Sequence, residues 1–283
     1  MIRIITDSTC EAPQDVLTHP SMTVVPLYVV FGQESLKDQI EISRDEFWRR
    51  LPAADPMPTT SQPTPADFLA PFRAFADAGD EIVAITISSK LSGTYSSAIQ
   101  AKAEIPWHPI DVVDSFSTSV GLGLIVRHAL RMAQSGASRL QIVQAIEAMR
   151  EHVPVLFSVD TLEYLARGGR IGKAQALMGT LLSFKPMLGI TDGVIVPVSR
   201  VRSRRKALEA LTETHAQAVT GRGSAVQIGV THAGADDEAK TVAADLCRAF
   251  ETSDAFIVDL GAVLGVHTGP GMIGAAVYAP NEN

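Results

Sequence analysis

Three short, β-branched apolar runs in the first half of the chain each lead directly into hydroxyl side chains. Ile2 to Thr6 runs into Asp7-Ser8-Thr9. Ile82-Val83-Ala84-Ile85-Thr86-Ile87 runs into Ser88-Ser89-Lys90-Leu91-Ser92-Gly93-Thr94, and Ile110 to Val113 runs into Asp114-Ser115. Runs of this kind read as buried strands. A helical pattern begins after the second loop, at about Tyr95. Strand, hydroxyl-rich loop and helix start in series predict an open α/β sheet, whose ligands collect at the carboxyl ends of its strands. Free N–H groups and the positive end of a helix dipole suit such a loop to an anion.

The rest of the chain repeats the alternation. Residues 23–31 are β-rich but contain Pro26, which predicts a break or an edge strand. Ser43 with Glu46 caps a helix to about Leu51. Residues 53–65 carry four prolines and predict a stiff irregular loop containing Thr59-Thr60-Ser61. Thr64, Pro65 and Asp67 then start a helix that Gly79 stops. Two long helices, 118–135 and 138–152, precede a new strand at 155–158. Beyond it come a helix at 161–166, the glycine-rich turn Arg167-Gly168-Gly169-Arg170-Ile171-Gly172, and a helix over 174–182. Asp192-Gly193 between two apolar runs predicts a hairpin. The basic cluster from Arg200 to Lys206 opens the next helix. A strand at 225–231, a helix at 236–250, a strand at 255–259 and a last apolar run at 273–278 follow. The fold class read from this is α/β: two domains, 1–154 and 155–283, with largely parallel sheets flanked by helices.

Several functions fit poorly. Net charge is -7, which argues against nucleic acid as the main partner. Cys10 and Cys247 are far apart and form no zinc or disulfide pattern, as expected of reduced thiols in a cytoplasmic protein. No apolar stretch is long enough to span a membrane, and an acidic residue ends the first apolar run too early for a signal peptide. The seven histidines are scattered without metal-like spacing. No P-loop is present, and Gly261-Ala262-Val263-Leu264-Gly265 does not match a dinucleotide fingerprint.

Two readings stay open from the residues. Ser92, between a strand and a helix, could be an esterase nucleophile with His267 as base and Asp7 or Asp114 behind it. Leu91-Ser92-Gly93 lacks the first glycine of a nucleophile elbow, however. Alternatively, hydroxyls from the Thr60 and Ser92 loops could hold a carboxylate, which needs up to four hydrogen bonds when buried. An alkyl tail of about fifteen methylenes would then add on the order of 12 kcal/mol gross, before ordering costs.

Several segments together resemble the DegV family of bacterial fatty-acid-binding proteins. They are Ile5-Thr6-Asp7-Ser8-Thr9, Thr60-Ser61-Gln62-Pro63-Thr64-Pro65, Ile87 to Tyr95, Val113-Asp114-Ser115, Tyr164 to Ile171, Lys185-Pro186, Val201-Arg202 and His267-Thr268-Gly269-Pro270-Gly271. They occur in the family's order and span the chain. The resemblance implies two α/β domains, the N-terminal one holding a long-chain fatty acid. Thr60, Ser61, Ser92 and Gly93 would bind its carboxylate, with His267 and Arg170 in the network around it. The resemblance further implies no catalytic residue, no cofactor beyond the bound lipid, and no metal. It implies presentation of the fatty acid to a separate ATP-dependent fatty acid kinase, which makes the acyl phosphate for phospholipid synthesis. Arg202 would contact that kinase.

Overall fold

The protein is described by a computed structural model covering residues 1–178 and 184–280. β1 (Ile2–Asp7) leads through the one-turn helix α1 (Gln14–Leu17) to β2 (Met22–Val25). β3 (Tyr28–Phe31) and β4 (Glu34–Lys37) precede α2 (Arg44–Arg50). Then come β5 (Thr59–Ser61), α3 (Pro65–Asp77), β6 (Glu81–Thr86), α4 (Thr94–Ala103), β7 (Ile110–Asp114), α5 (Ser119–Gln134) and α6 (Arg139–Met149). The remainder carries β8 (Val155–Ser158), α7 (Glu163–Arg167), β9 (Lys185–Thr191), β10 (Val194–Val201), α8 (Arg204–Ala218), β11 (Gln227–His232), α9 (Asp236–Phe250), β12 (Ala255–Asp259), α10 (Ala262–Thr268) and β13 (Ile273–Tyr278).

The α/β class is borne out, and the first sheet is wholly parallel, in the order β2-β1-β6-β7. The strands read from the hydroxyl-ended runs, β1, β6 and β7, are its neighbours, so their loops gather at one edge. Most of those side chains build the loops. Asp7 accepts from the Thr9 hydroxyl (2.6 Å) and from the Ile87 amide (2.7 Å). Asp114 accepts from the amides of Ser89 and Phe116. The Ser88 hydroxyl donates to the Gly193 carbonyl (2.8 Å).

The second large sheet departs from the expectation of parallel strands. Its order is β10-β9-β8-β13-β11-β12, and only β11 and β12 run parallel. Helix length explains the orientation of β13. α9 has 15 residues and rises about 22 Å, enough to return the chain along a strand. α10 has seven residues and rises about 10 Å, short of the roughly 20 Å that a six-residue strand spans. The chain therefore re-enters the sheet near the end it left, and β13 is antiparallel to β11. Asp192 and Gly193 at φ 51° and 78° make the tight hairpin turn between β9 and β10.

Pro26 divides the expected strand at 23–31 into β2 and β3, which lie in different sheets. The proline-rich loop holds a strand that its composition concealed. β5 is the three-residue edge of a small antiparallel sheet, order β4-β3-β5, where flanking prolines are tolerated. Ser43 caps α2 by accepting from the Glu46 amide, half of the expected box, while Thr64 with Asp67 and Ser138 with Gln141 form full capping boxes. Of the helix expected over 174–182, Gly172–Leu177 is a 3-10 helix, and 179–183 lie outside the described residues.

α5 holds the molecule together. Ten of its sixteen residues are buried, from Ser119 to Val126 without interruption and then Ala129 and Leu130. The first half of this helix is covered on every side, and Arg127, His128 and Arg131 give the second half a polar edge. α5 packs on β1 of the first sheet and on β11 and β13 of the second. Its core accordingly joins Ile4, Val83 and Val113 to Val155 and Ala276.

Candidate functional site

A cavity of about 230 Å³, measured for the centres of water-sized spheres, lies where these layers meet. Both halves of the chain line it. Leu27, Ile87, Leu91 and Val120 come from the first, and Val155, Phe157, Ile190 and Met272 from the second. β8, β11 and β13 supply one wall, so the lining of this cavity extends beyond the N-terminal unit. Exposure is graded along the lining. Ser61 is exposed and Thr60, Ser92 and Arg170 are half-buried, whereas Val120, Phe157 and Met272 are buried. Ser61, Thr60, Ser92 and Arg170 therefore lie toward the surface and Val120, Phe157 and Met272 toward the core, where the buried Ser119, Thr231 and Thr268 interrupt the apolar lining.

Register brings Thr60 into place. β5 pairs antiparallel with β3, with Thr60 opposite Val29, and its burial alternates so that Thr60 turns inward. α10 packs against both strands and carries His267 in its last turn. Thr60 Oγ1 and His267 Nε2 meet at 2.8 Å. Burial, and then the nearby Arg170 guanidinium, push the His267 pKa down to about 4, so the ring is neutral at neutral pH. Its Nδ1 is buried without a hydrogen-bond partner. A proton on Nε2 donated to Thr60 leaves Nδ1 a bare acceptor, a smaller penalty than an orphaned N–H. The Thr60 hydroxyl proton then points elsewhere. Arg170 donates to the carbonyls of Leu91 (3.1 Å) and Gly168 (2.7 Å), tying the glycine-rich turn to the Ser92 loop. A Cβ at Gly168 would overlap the His267 ring, so glycine lets that turn close on the imidazole.

Ser92 lies against Thr94: their hydroxyl oxygens are 2.8 Å apart, and the Thr94 amide donates to Ser92 Oγ. If the buried Thr94 hydroxyl also donates to it, the Ser92 proton is free for a ligand. Gly93 is not part of the lining. It is the N-cap of α4, and a Cβ there would overlap the Gln62 carboxamide. Arg202 is outside the cavity and exposed, its guanidinium 5.9 Å from the Phe184 ring centroid.

Ser92, His267 and Asp7 or Asp114 do not form a relay. His267 Nε2 is bonded to Thr60, and Nδ1 meets no carboxylate. Asp7 and Asp114 are engaged in their own loops. The Gly261–Gly265 stretch is likewise unavailable to a phosphate, since the Gly261 amide donates to the buried Glu11 carboxylate at 2.6 Å. Among the described residues no three His, Cys, Asp or Glu side chains are arranged to hold a metal ion, and no helix is long and apolar enough to cross a membrane.

Sequence reasoning missed α10, Gln62 and the whole sheet wall. α10 is short and contains Gly265, which hides its helical signal. Gln62 stood in the matched segment, but only the fold shows it against Gly93 and 3.3 Å from the Ser97 hydroxyl. The wall residues are ordinary strand residues without a local signature.

Fold and site define an α/β protein of two large sheets and one small one, with an apolar cavity at the seam and a mouth of hydroxyls, imidazole and guanidinium. The chain belongs to the DegV family, whose model, described as "Uncharacterised protein, DegV family", matches residues 1–280. A DegV domain-containing protein of Streptomyces coelicolor is 38% identical over 278 residues, covering 98% of both chains. A DegV family protein of Thermus thermophilus, whose structure is described as showing fatty acid binding, superposes with a TM-score of 0.93 at 36% identity, covering 99% of each chain. Bacillus subtilis DegV, described as a fatty acid binding protein, gives a TM-score of 0.86 at 31% identity and 98% coverage of each.

Proposed function

We propose that this protein binds one long-chain fatty acid, with the tail in the seam cavity and the carboxylate at the mouth. The observation that carries the reading is the grading of that one cavity from Ser61, Thr60 and Ser92 to Phe157 and Met272. Thr60 and Ser92 donate their hydroxyl protons to the carboxylate, with Ser61 beside them. His267 orients the Thr60 hydroxyl. Arg170 adds positive charge and braces the Ser92 loop. Gly93 contributes by admitting Gln62 rather than by touching the ligand. Residues 1–154 and 155–283 act as two units with the ligand at their seam. Calorimetric titration of the delipidated protein with palmitic or oleic acid should saturate at one per chain. An absence of binding contradicts the reading.

The protein is a carrier that presents its fatty acid to a separate ATP-dependent kinase, and the acyl phosphate formed enters phospholipid synthesis. It does so in the cytoplasm, to which the unpaired thiols of Cys10 and Cys247 are suited. Support for a docking role comes from Arg202, exposed at the start of α8, where cations oppose the helix dipole and gain from an acidic partner. In a reconstituted kinase assay, Arg202→Glu should abolish acyl-phosphate formation while fatty-acid affinity stays unchanged. Equal loss of both activities contradicts a contact role.

A further inference from the structure

The seam cavity backs onto a second hollow. A surface cleft of about 1170 Å³, measured for the same spheres, lies between the C-terminal ends of α6 and α8 and the β9–β10 turn. Val155 on β8 and Ile190 on β9 line both the cavity and the cleft. They are register partners in adjacent antiparallel strands, so their side chains stand side by side on one sheet face. Strand periodicity shows which end of the cavity they close. Phe157 lines only the cavity, Val155, two residues earlier, lines both, and Val153, two earlier again, lines only the cleft. From Phe157 the chain runs on to α7, whose Leu165 lines the cavity, and then to Arg170 at the mouth. The shared pair therefore lies at the far end of that path from the mouth.

The partition is thin. A Cβ at Gly121 of α5 would overlap both Val155 Cγ2, on the cavity side, and the hydroxyl of Ser117, a residue that lines only the cleft. The two hollows differ in what they offer a tail. Beside the pair the cavity is walled by Val120 and Phe157. The cleft is edged by Asp192, Arg222 and Arg150, the last with its guanidinium carbon 4.5 Å from the Phe116 ring centroid. Each methylene buried in the cavity adds to affinity. A methylene past its end must force packed side chains off their rotamers. We propose that Val155 and Ile190 form the end stop of the tail cavity and set the longest acyl chain the protein accepts. The cleft behind them is the space a longer tail would enter if the pair were cut back. This rests on the fatty-acid reading above and adds a length limit to it.

The test uses the full, delipidated chain with lauric, palmitic, stearic, behenic and lignoceric acid. Each affinity is divided by that for lauric acid in the same protein, so a general loosening of the fold cancels. Wild-type affinity should rise with length and then drop about tenfold at one step of the series, where the tail meets the pair. In the double variant Val155→Ala, Ile190→Ala the drop should vanish and the longer acids should bind as tightly as the best one, because the tail end emerges in the cleft. Ile190→Ala alone, at a half-buried position, keeps the test open if the double variant misfolds, and should move the drop to a longer acid. Ile190→Phe should move it to a shorter one. Circular dichroism checks that each variant is folded. The inference is overturned, and the fatty-acid reading stands, if the wild type shows no drop or if any folded variant of the pair leaves it at the same acid. Failure of every acid to bind overturns both.

Discussion

At the scale of single residues, the account turns on a few hydroxyls and one imidazole. Most of the Ser and Thr side chains that marked the strand ends fold the loops; Ser8, Ser88 and Ser115 each hydrogen-bond to backbone. Thr60 and Ser92 remain for a ligand. Thr60→Ala and Ser92→Ala should each weaken fatty-acid binding by about 1–3 kcal/mol through a lost charge-assisted bond, read by titration. Unchanged affinity in the double variant would put the carboxylate elsewhere. His267 gives a pH signature. Folded, it protonates only near pH 4, whereas its ordinary value is 6.5. Between those values the unfolded chain holds the extra proton, so this contribution to stability is complete above about pH 6.5 and is lost as pH falls toward 4. Buried His215, also lowered to about 4, acts in the same direction, and Asp38, raised to about 7 by burial, acts oppositely. Both persist in His267→Gln, so the difference between proteins isolates His267. Between pH 6.5 and 4, denaturant midpoints should fall more steeply for the wild type than for His267→Gln. Parallel profiles would contradict the buried neutral ring. The candidate mouth was legible because hydroxyls at strand ends are a local signal. Its hydrogen-bond partners were not, since Thr60 and His267 are 207 positions apart and meet only through the fold.

At the scale of elements, α5 does most to position the cavity. Its first residues line it, and its flanks touch both sheets. Gly123 makes the approach possible, because a Cβ there would overlap the Glu11 carbonyl oxygen, a backbone atom with no rotamer to yield. Gly123→Ala should therefore cost about 1–3 kcal/mol of stability by overpacking, measured by chemical denaturation. An unperturbed midpoint would mean that α5 has freedom that its packing denies. Elements with strong local chemistry were legible: α9, β12 and β13 lie where the sequence placed them, and the helix starts at Ser43, Thr64 and Ser138 are all capped by those side chains. Elements set by tertiary pairing were not. β5 is three residues between prolines, and its strand character comes from β3. α10 is too short to show a period, yet its length decides the direction of β13.

At the scale of the whole molecule, alternating strands and helices identified the class but not the second sheet's topology. Alternation suggests parallel strands only when each helix is long enough to return the chain, and α10 is not. The cavity at the seam was also beyond local reading, because its walls come from six strands and three helices that have no common sequence mark. A ligand that fills it contacts both halves and favours the assembled state, so saturation at about 100 times Kd should add about 2.7 kcal/mol to stability. The central claim is that this cavity is built for one fatty acid. Mass spectrometry of an organic extract of the purified protein tests it most directly. The account predicts one long-chain fatty acid per chain, lost in the Thr60→Ala, Ser92→Ala double variant. An extract without fatty acid, from a protein that also takes up none when it is added, would contradict it.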